Sequence, residues 1–239
     1  LYQPPFLILH HIYVQFFMKR KIVLFVLLIA PLILYVYFSM VKHNSLFLPK
    51  ITQNIDELPV GTTFEGEPVQ LSGKISIVGF LGDDITPRKE AIFNLNQKIN
   101  AKYRDFTDFQ MVMLLPVGDE AAVKGLQETL KHMGDISDWK FVFTTPEKIK
   151  AFHTSLKVSE PLNSHSASDY VYIVDKERAL RGRMGKDKKG EDEYRDGYSM
   201  MVVSEMHNEM TDDLKILLRE YRLALKKNNV YDKAAKRKI

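Results

Sequence analysis

The chain has 239 residues, 45% of them apolar and 27% charged, and its formal net charge is +4 at pH 7. This length allows one domain of ordinary size with appendages, and the apolar content is sufficient for a packed core. Because the chain has no cysteine, disulfides, thiolate metal sites and cysteine nucleophiles are excluded.

The basic residues are concentrated at the two ends of the chain. Residues 1–50 carry five Lys or Arg and no acidic residue, and residues 226–239 carry six basic residues and one acidic residue. The middle of the chain carries 23 basic and 29 acidic residues. A nucleic-acid interface needs Lys and Arg gathered on one face, so this mildly acidic body indicates that nucleic acid is not a partner. Residues 228–239 are interpreted as a solvated basic tail.

The N-terminal region predicts a membrane anchor. Residues Ile22 to Val41 form an apolar run of 20 residues without a charge, which at about 1.5 Å per residue matches a hydrocarbon core of roughly 30 Å. The run is longer than the apolar core of a cleaved signal peptide and lacks a small-residue cleavage site, so an uncleaved anchor is favoured. Residues 1–21 form an extension with a basic segment, and we expect residues 1–17 to precede the true start at Met18.

The charges beside this run predict its orientation. The three basic residues 19–21 outweigh the single Lys42 on the other side, so the N-terminus is expected in the cytoplasm. We therefore expect a single-pass inner-membrane protein whose domain is periplasmic. Residues 42–63 are expected to form a polar linker, and residues 64–227 the folded domain.

The first part of the domain predicts a strand that ends at a helix. Phe64 to Leu71 contains Gly and Pro and predicts a short edge strand or hairpin. The β-branched and aromatic run from Ile75 to Phe80 predicts a buried strand. Residues 82–86 would form a turn, and Thr86-Pro87 would begin a helix that continues to Tyr103.

Strands and helices alternate through the rest of the domain. The later predicted strands are Phe109–Leu115, Trp139–Phe143, Tyr170–Val174 and Ala179–Arg183. The later predicted helices are Asp119–Met133, a helix from a Thr145 cap to about Leu156, and a last helix capped by Thr211. The charged, glycine-bearing stretch from Met184 to Gly197 predicts a mobile loop. This alternation predicts an α/β domain in which helices cover both faces of one sheet.

Several phrases in this order resemble the SCO/SenC family of thioredoxin-like proteins. Gly73–Phe80 resembles the strand before the redox turn, and Asp138–Thr144 resembles a later strand of the family. Tyr172–Lys176 together with Arg181-Gly182 resembles the family's hairpin, and Met210–Glu220 its last helix. The resemblance implies a thioredoxin-like fold of the peroxiredoxin and SCO type, preceded by one transmembrane helix. It also implies a role in assembling the copper centre of cytochrome c oxidase, with respiratory-complex or other envelope proteins as partners.

The resemblance also implies a copper site that this chain does not keep. Family members bind copper through a CxxxC pair in the first turn and one histidine before the hairpin. The two cysteine positions correspond to Gly82 and Thr86, and the histidine position to Ala167, two residues from His165. No cofactor is therefore expected, because soft thiolate ligands for Cu(I) and a dithiol for exchange are both absent.

Asp83, Asp84 and His165 are the candidate metal ligands. The two carboxylates precede a helix N-terminus, where capping or simple solvation explains them well. The alternative is that they join His165 in an oxygen and nitrogen site for a hard or borderline divalent cation. Both loops are expected at the same end of the sheet.

Other polar and sulfur-containing residues have simpler structural interpretations. A thioether copper site is less favoured than core packing for the residues Met200, Met201, Met206, Met210 and His207. His132 and His153 are interpreted as surface or half-buried residues on helices. The serines around His165 are expected in a polar loop, because nothing in the spacing of Ser164, Ser166 and Ser168 supplies a base or an oxyanion hole.

These observations predict a binding or scaffolding protein and not an enzyme. The leading hypothesis is a redox-inactive, membrane-anchored thioredoxin-fold protein that acts in envelope or respiratory-complex assembly. The alternative is a metal-binding or metal-delivery protein that uses Asp and His ligands. No nucleophile or acid/base pair supports a catalytic role.

Overall fold

We describe residues 23–37, 47–186 and 190–236 from a computed structural model of the chain. The chain divides into two compact units, Leu1–Ser45 and Leu46–Ile239. The predictions for residues 1–21 lie outside the described residues.

The first unit contains helix α1, residues 23–37. This helix covers the middle of the predicted anchor, and the remaining anchor residues lie outside the described residues. Its large apolar side chains are exposed, from 46% at Val36 to 73% at Leu27 and Tyr35. In the described part of the chain, no helix has both the length and the hydropathy needed to cross a bilayer.

The second unit is built on a seven-stranded sheet. Its strands are β1 (Lys50–Thr52), β2 (Ile75–Leu81), β3 (Phe109–Pro116), β4 (Trp139–Thr144), β5 (Ala167–Val174), β6 (Leu180–Arg181) and β9 (Tyr198–Ser199). A separate antiparallel hairpin pairs β7 (Arg183–Lys186) with β8 (Asp192–Arg195). The order in the sheet is β1-β6-β5-β2-β3-β4, and β9 pairs with β5.

Helices pack on this sheet. They are α2 (Lys89–Leu95), α3 (Ala101–Tyr103), α4 (Glu120–Met133), α5 (Pro146–Leu156) and α6 (Thr211–Lys236). A 3₁₀ turn, Thr86–Arg88, precedes α2, and π-helical turns at Asn96–Asn100 and Glu205–Met210 precede α3 and α6.

Strand β2 lies at the centre of the sheet, as its apolar run predicts. All its residues are buried, and it is parallel to β3 and antiparallel to β5. Side chains alternate between two core clusters: Ile77 packs in the cluster with α2 and α6, and Val78 in the cluster with α5. The expected α/β architecture with two covered faces is therefore present.

The segment before β2 differs from expectation. Part of the predicted linker belongs to the sheet, since Lys50–Thr52 form β1. Residues 64–71, expected to be an edge strand or hairpin, form no strand. The carboxylate of Glu57 accepts the backbone N–H groups of Leu71 and Ser72, so these two N–H groups need no neighbouring strand. Pro68 has no N–H to donate to a strand ladder.

The predicted mobile loop over 184–197 is wrong for the described residues, which form the β7–β8 hairpin. Several charged side chains of the hairpin form ion pairs with other parts of the fold. Arg183 contacts Glu193 at 3.0 Å and Asp213 at 2.7 Å, and Arg195 contacts Glu205 at 2.5 Å. The pair with Asp213 joins the hairpin to α6, and the pair with Glu205 joins it to the π-helical turn before α6.

Two predicted helices have different boundaries. The helix expected from Pro87 to Tyr103 contains a π-helical turn, where the Nδ2 group of Asn100 donates to Oδ1 of Asn96. Thr211 does not cap the last helix, because its hydroxyl donates to the carbonyl of Met206 inside a continuous helical segment. The backbone of α6 continues to Lys236, into the predicted tail.

Two other helix predictions concern the cap of α5 and the buried face of α4. Thr145 caps α5 as expected, since its hydroxyl oxygen accepts the N–H of Lys148. On α4, Val123, Leu126 and Leu130 are buried as expected. Met133 is 40% exposed, because it lies in the last turn of α4, next to Gly134.

Candidate functional site

The candidate site lies where β2 ends and β5 begins. Leu81 at the end of β2 pairs with Ala167 at the start of β5. The turn over 82–86 follows β2, and the loop over 163–166 leads into β5. The two loops that sequence reasoning expected at one end of the sheet are therefore adjacent.

Gly82 is packed directly against the second loop. A Cβ atom at this position would lie 2.7 Å from the Cβ of Ala167 and 2.7 Å from the carbonyl oxygen of His165. The backbone of Gly82 has φ +76, a conformation that side chains rarely adopt. Position 82 therefore has neither the space nor the backbone conformation for a side chain such as cysteine.

Asn163 shapes the loop that faces Gly82. Its Oδ1 accepts the backbone N–H groups of His165 at 2.9 Å and Ala167 at 3.0 Å. Its own N–H donates to the carbonyl of Ala167 at 2.9 Å. The carbonyl of His165 in turn accepts the N–H of Asp83 at 3.3 Å, which joins the two loops.

Asp83 and His165 form the polar contact of the site. Nδ1 of His165 lies 2.9 Å from Oδ1 of Asp83, a distance suited to an N–H donating to a carboxylate. Their side chains are 55% and 63% exposed, so solvent screens the interaction. The pair can offer one carboxylate and one imidazole to a ligand.

Asp84 acts as a local cap. Its Oδ1 accepts the N–H of Thr86 at 2.9 Å. The backbone hydrogen bond from Thr86 is the main cause that lowers the pKa of Asp84 below its usual 3.8, and the side-chain hydrogen bond from Thr86 lowers it further. This contact matches the capping interpretation.

The predicted three-residue metal site is only partly assembled. Asp83 and His165 are in contact, while Asp84 is hydrogen-bonded to Thr86. Within the described ranges, no group of three His, Cys, Asp or Glu side chains is placed to hold a metal ion.

A copper site of the kind implied by the resemblance does not fit these residues. The positions assigned to its ligands are Gly82, Thr86 and Ala167, none of which carries a sulfur or imidazole donor. Positions 82 and 167 are nevertheless adjacent across the two loops.

Sequence reasoning missed Arg88, which fixes the turn to β5. The Arg88 side chain is 10% exposed and contacts Asp169 at 2.8 Å. Its Nε donates to the carbonyl of Ser168 at 3.4 Å. No local signal identifies this role, because both partners lie about 80 residues away in sequence.

The other residues considered from sequence lie in ordinary packing or surface positions. Met200, Met206 and Met210 are buried in the core, and Met201 and His207 are exposed. His132 is exposed as expected.

His153 differs from expectation, because it is buried at 8% exposure against Phe80. Burial lowers the pKa of His153 below its usual 6.5. Ser164 is exposed, Ser166 is half-buried, and the Ser168 hydroxyl accepts the N–H of Tyr170.

Comparison with known proteins assigns the fold. No protein-family model matches the chain, and no curated protein matches it in sequence. Solved structures do match. A SCO1/SenC family lipoprotein from Bacillus anthracis has a TM-score of 0.52 and 15% identity, with coverage of 72% of this chain and 99% of that one.

Two further solved structures show weaker similarity. A putative protein disulfide isomerase from Bacteroides thetaiotaomicron has a TM-score of 0.49 and 11% identity, with coverage of 75% of this chain and 99% of that chain. Copper-bound ScoI from Bradyrhizobium japonicum has a TM-score of 0.41 and 14% identity, with coverage of 70% of this chain and 99% of that chain.

The second unit therefore has a thioredoxin-like α/β fold, which confirms the predicted fold of the domain. The structural similarity to a SCO/SenC protein agrees with the resemblance of the sequence phrases, and the chain has no cysteine for the CxxxC motif.

Proposed function

We propose that this chain is a divergent, cysteine-free member of the SCO/SenC family that works by binding or scaffolding. Its role would lie in the assembly of a respiratory complex or another envelope protein. The ordered sequence phrases and the fold shared with the Bacillus anthracis lipoprotein support this assignment.

The close packing of Gly82 against Ala167 is the observation that supports the proposal most directly. The resemblance assigns Gly82 to one cysteine and Ala167 to the histidine of the family's copper site, and the two residues pack closely although neither side chain offers a donor atom. Cu(I) requires soft donors, and disulfide exchange requires thiols. A function of this site must therefore use the surface formed by the two loops and not electron or Cu(I) exchange.

We further propose that the chain is anchored in the inner membrane with its domain in the periplasm. Helix α1 is apolar all round, and its large apolar side chains are exposed. Such a surface is suited to lipid and is costly in water. The basic residues 19–21 before this helix favour a cytoplasmic N-terminus.

Affinity capture from native membranes tests this function. The full chain would be crosslinked in membranes, purified, and its partners identified. A matched variant, His165→Ala with Asp83→Ala, removes the polar contact of the two loops but leaves the core intact. We expect oxidase subunits or copper-loading factors with the wild type and fewer with the variant. Their reproducible absence from the wild-type sample would contradict the proposal.

A second candidate function rests on the 2.9 Å contact between Asp83 and His165. One carboxylate and one imidazole could bind Zn²⁺ or Cu²⁺ as part of a delivery site completed by a partner or by water. Calorimetric titration of the full chain with each metal tests this function. Stoichiometric binding that His165→Ala together with Asp83→Asn abolishes would favour it, and no uptake would reject it.

A further inference from the structure

The β7–β8 hairpin has a polar inner face and an apolar outer face. Paired residues of two antiparallel strands lie on the same face, and successive residues along a strand alternate between the faces. Arg183, which is paired with Arg195, lies on the inner face, where its Nε donates to Asp213 of α6. Met184 and Tyr194, which are paired with each other, therefore lie on the outer face, and they are 57% and 56% exposed.

This arrangement is the reverse of an ordinary surface hairpin. An antiparallel hairpin on a core usually turns its apolar side chains inward and its polar side chains to water. Here ion pairs occupy the inner face, where the side chains of Arg183 and Arg195 are only 25% and 27% exposed. Large apolar side chains that stay in water forgo the stabilisation of burial. The outer face is therefore suited to an apolar partner.

A third exposed apolar residue, Phe47, belongs to the same region. The backbone N–H of Gly182 donates to the carbonyl of Pro49 at 3.1 Å, which joins the two chain segments. Met184 follows Gly182 by two residues and Phe47 precedes Pro49 by two, so each lies within roughly 7 Å of chain from this bond. Phe47 is 62% exposed. We call Phe47, Met184 and Tyr194 the apolar patch.

Ion pairs of opposite charge border the apolar patch. On the outer face of the hairpin, Lys186 contacts Asp192 at 2.8 Å. On the side of β1, Lys50 contacts Glu177 at 2.5 Å. Each pair is neutral as a whole, so neither is repelled by the negative potential of a surface that contains anionic lipids.

The length of chain before Phe47 identifies a lipid bilayer as the partner. Residues 42–46 connect Phe47 to the proposed anchor, which ends at Val41. The chain from Val41 to Phe47 spans about 20 Å at most, and the headgroup region extends about 5–8 Å beyond the hydrocarbon core on each side of a bilayer. So short a tether gives the patch a high effective concentration at the membrane surface.

We infer that the apolar patch inserts into the headgroup region of the bilayer and holds the domain against the membrane. The side chains of Phe47 and Met184 reach the boundary of the acyl chains, and the Tyr194 hydroxyl stays among the headgroups, where tyrosine is favoured. The inference rests on the proposed membrane anchor. It deepens the proposed function, because the domain would then meet its partners at the membrane surface.

Fluorescence quenching in the full chain tests the inference. Because the chain has no cysteine, one introduced cysteine carries a single environment-sensitive dye. The labelled protein would be placed in vesicles of phosphatidylcholine and phosphatidylglycerol, some with a nitroxide on the headgroup. We expect the nitroxide to quench the dye on Met184→Cys and not the dye on Val60→Cys. Equal quenching at the two positions, or none at Met184→Cys, would overturn the inference.

Val60 is the matched control position because it is exposed far from the patch. It is 85% exposed, and its carbonyl accepts the hydroxyl of Thr144 at the end of β4. Strand β4 and strand β1 form opposite edges of the sheet. Val117 lies at the same edge as Val60, since its N–H donates to the carbonyl of Thr144, and it is 56% exposed.

Variants of the patch test which side chains hold the domain on the lipid. With the dye on Met184→Cys, the changes Phe47→Ser and Tyr194→Ser together should remove most of the quenching, because the apolar area that enters the membrane is lost. The changes Val60→Ser and Val117→Ser together should leave the quenching unchanged. A dye that is shielded from iodide in the water but is not quenched by the lipid nitroxide would show that a protein or a second copy covers the patch, which would overturn the inference.

Flotation separates this inference from the proposed anchor. A chain that floats with the vesicles after an alkaline wash but shows no quenching on Met184→Cys would refute the role of the patch and leave the anchor intact. A chain that does not float would refute the anchor and the inference together.

Discussion

Gly82 and Ala167 lie so close that a Cβ on the glycine would stand 2.7 Å from the Cβ of the alanine. Gly82 directly follows the central strand β2, and Ala167 begins β5. The contact brings together two of the three positions that the SCO/SenC resemblance assigns to copper ligands, one cysteine position and the histidine position.

Replacing Gly82 by alanine should lower the free energy of unfolding by about 2–4 kcal/mol, because it adds both a steric clash and backbone strain. Urea unfolding measures the change. Gly66→Ala is the matched control, since Gly66 has a similar φ of +72 and nothing within 4 Å of its would-be Cβ. Equal losses at the two positions would show that the contact with Ala167 contributes nothing.

Arg88→Met should lower the free energy of unfolding by about 1–3 kcal/mol, because Asp169 and the carbonyl of Ser168 lose a largely buried partner. A double-mutant cycle with Asp169→Asn isolates the coupling between the two side chains. Lys131→Met removes an ion pair between half-exposed side chains and should change stability little. A similar small change for Arg88→Met would exclude its role in fixing the turn.

Arg181→Met should be among the most destabilising substitutions. Arg181 is 2% exposed and contacts the fully buried Asp175 at 3.1 Å, and it also pairs with Glu220 of α6. Leaving the Asp175 carboxylate without this partner should cost about 3–5 kcal/mol in unfolding experiments.

The double variant Arg181→Met with Asp175→Asn should recover part of that loss. The asparagine oxygen can still accept the N–H groups of Glu177 and Ala179, while the buried charge is gone. If the double variant is no more stable than Arg181→Met alone, the loss of stability does not come from the unpaired charge of Asp175.

Stability should fall as the pH drops from about 7.5 to 5.5, through the titration of His153. Burial lowers the pKa of His153 in the folded state below its usual 6.5. In acid the unfolded chain therefore binds a proton before the folded chain does, and unfolding is favoured. Urea unfolding at several pH values should show a flatter profile for His153→Asn than for the wild type. Identical profiles for wild type and His153→Asn would reject this account.

Local sequence patterns predicted the strands and helices that depend on apolar periodicity. The β-branched run of β2 and the Thr145 cap of α5 are determined by neighbouring residues, so they were predicted correctly. The β7–β8 hairpin was missed because its charges suggest a solvated loop, whereas Arg183 pairs with Asp213 of α6. Such pairing across the fold leaves no local signal.

The candidate site was predictable only in part for the same reason. The thioredoxin-like fold implied by the resemblance placed the turn after β2 and the loop before β5 at one end of the sheet, where Asp83 and His165 are in contact. It did not show that Arg88 binds Asp169 or that Gly82 packs against Ala167. These contacts join residues about 80 positions apart in the sequence, so local patterns do not reveal them.

Cuprous-ion binding by the full chain tests the central claim most directly. The purified protein would compete with bicinchoninate for Cu(I) under anaerobic conditions, and the absorbance of the bicinchoninate complex would report the copper removed. We expect no stoichiometric transfer of Cu(I) to the protein, because Gly82, Thr86 and Ala167 offer no soft donor. Transfer of one equivalent at high affinity would contradict the claim that this thioredoxin-like fold acts through its surface.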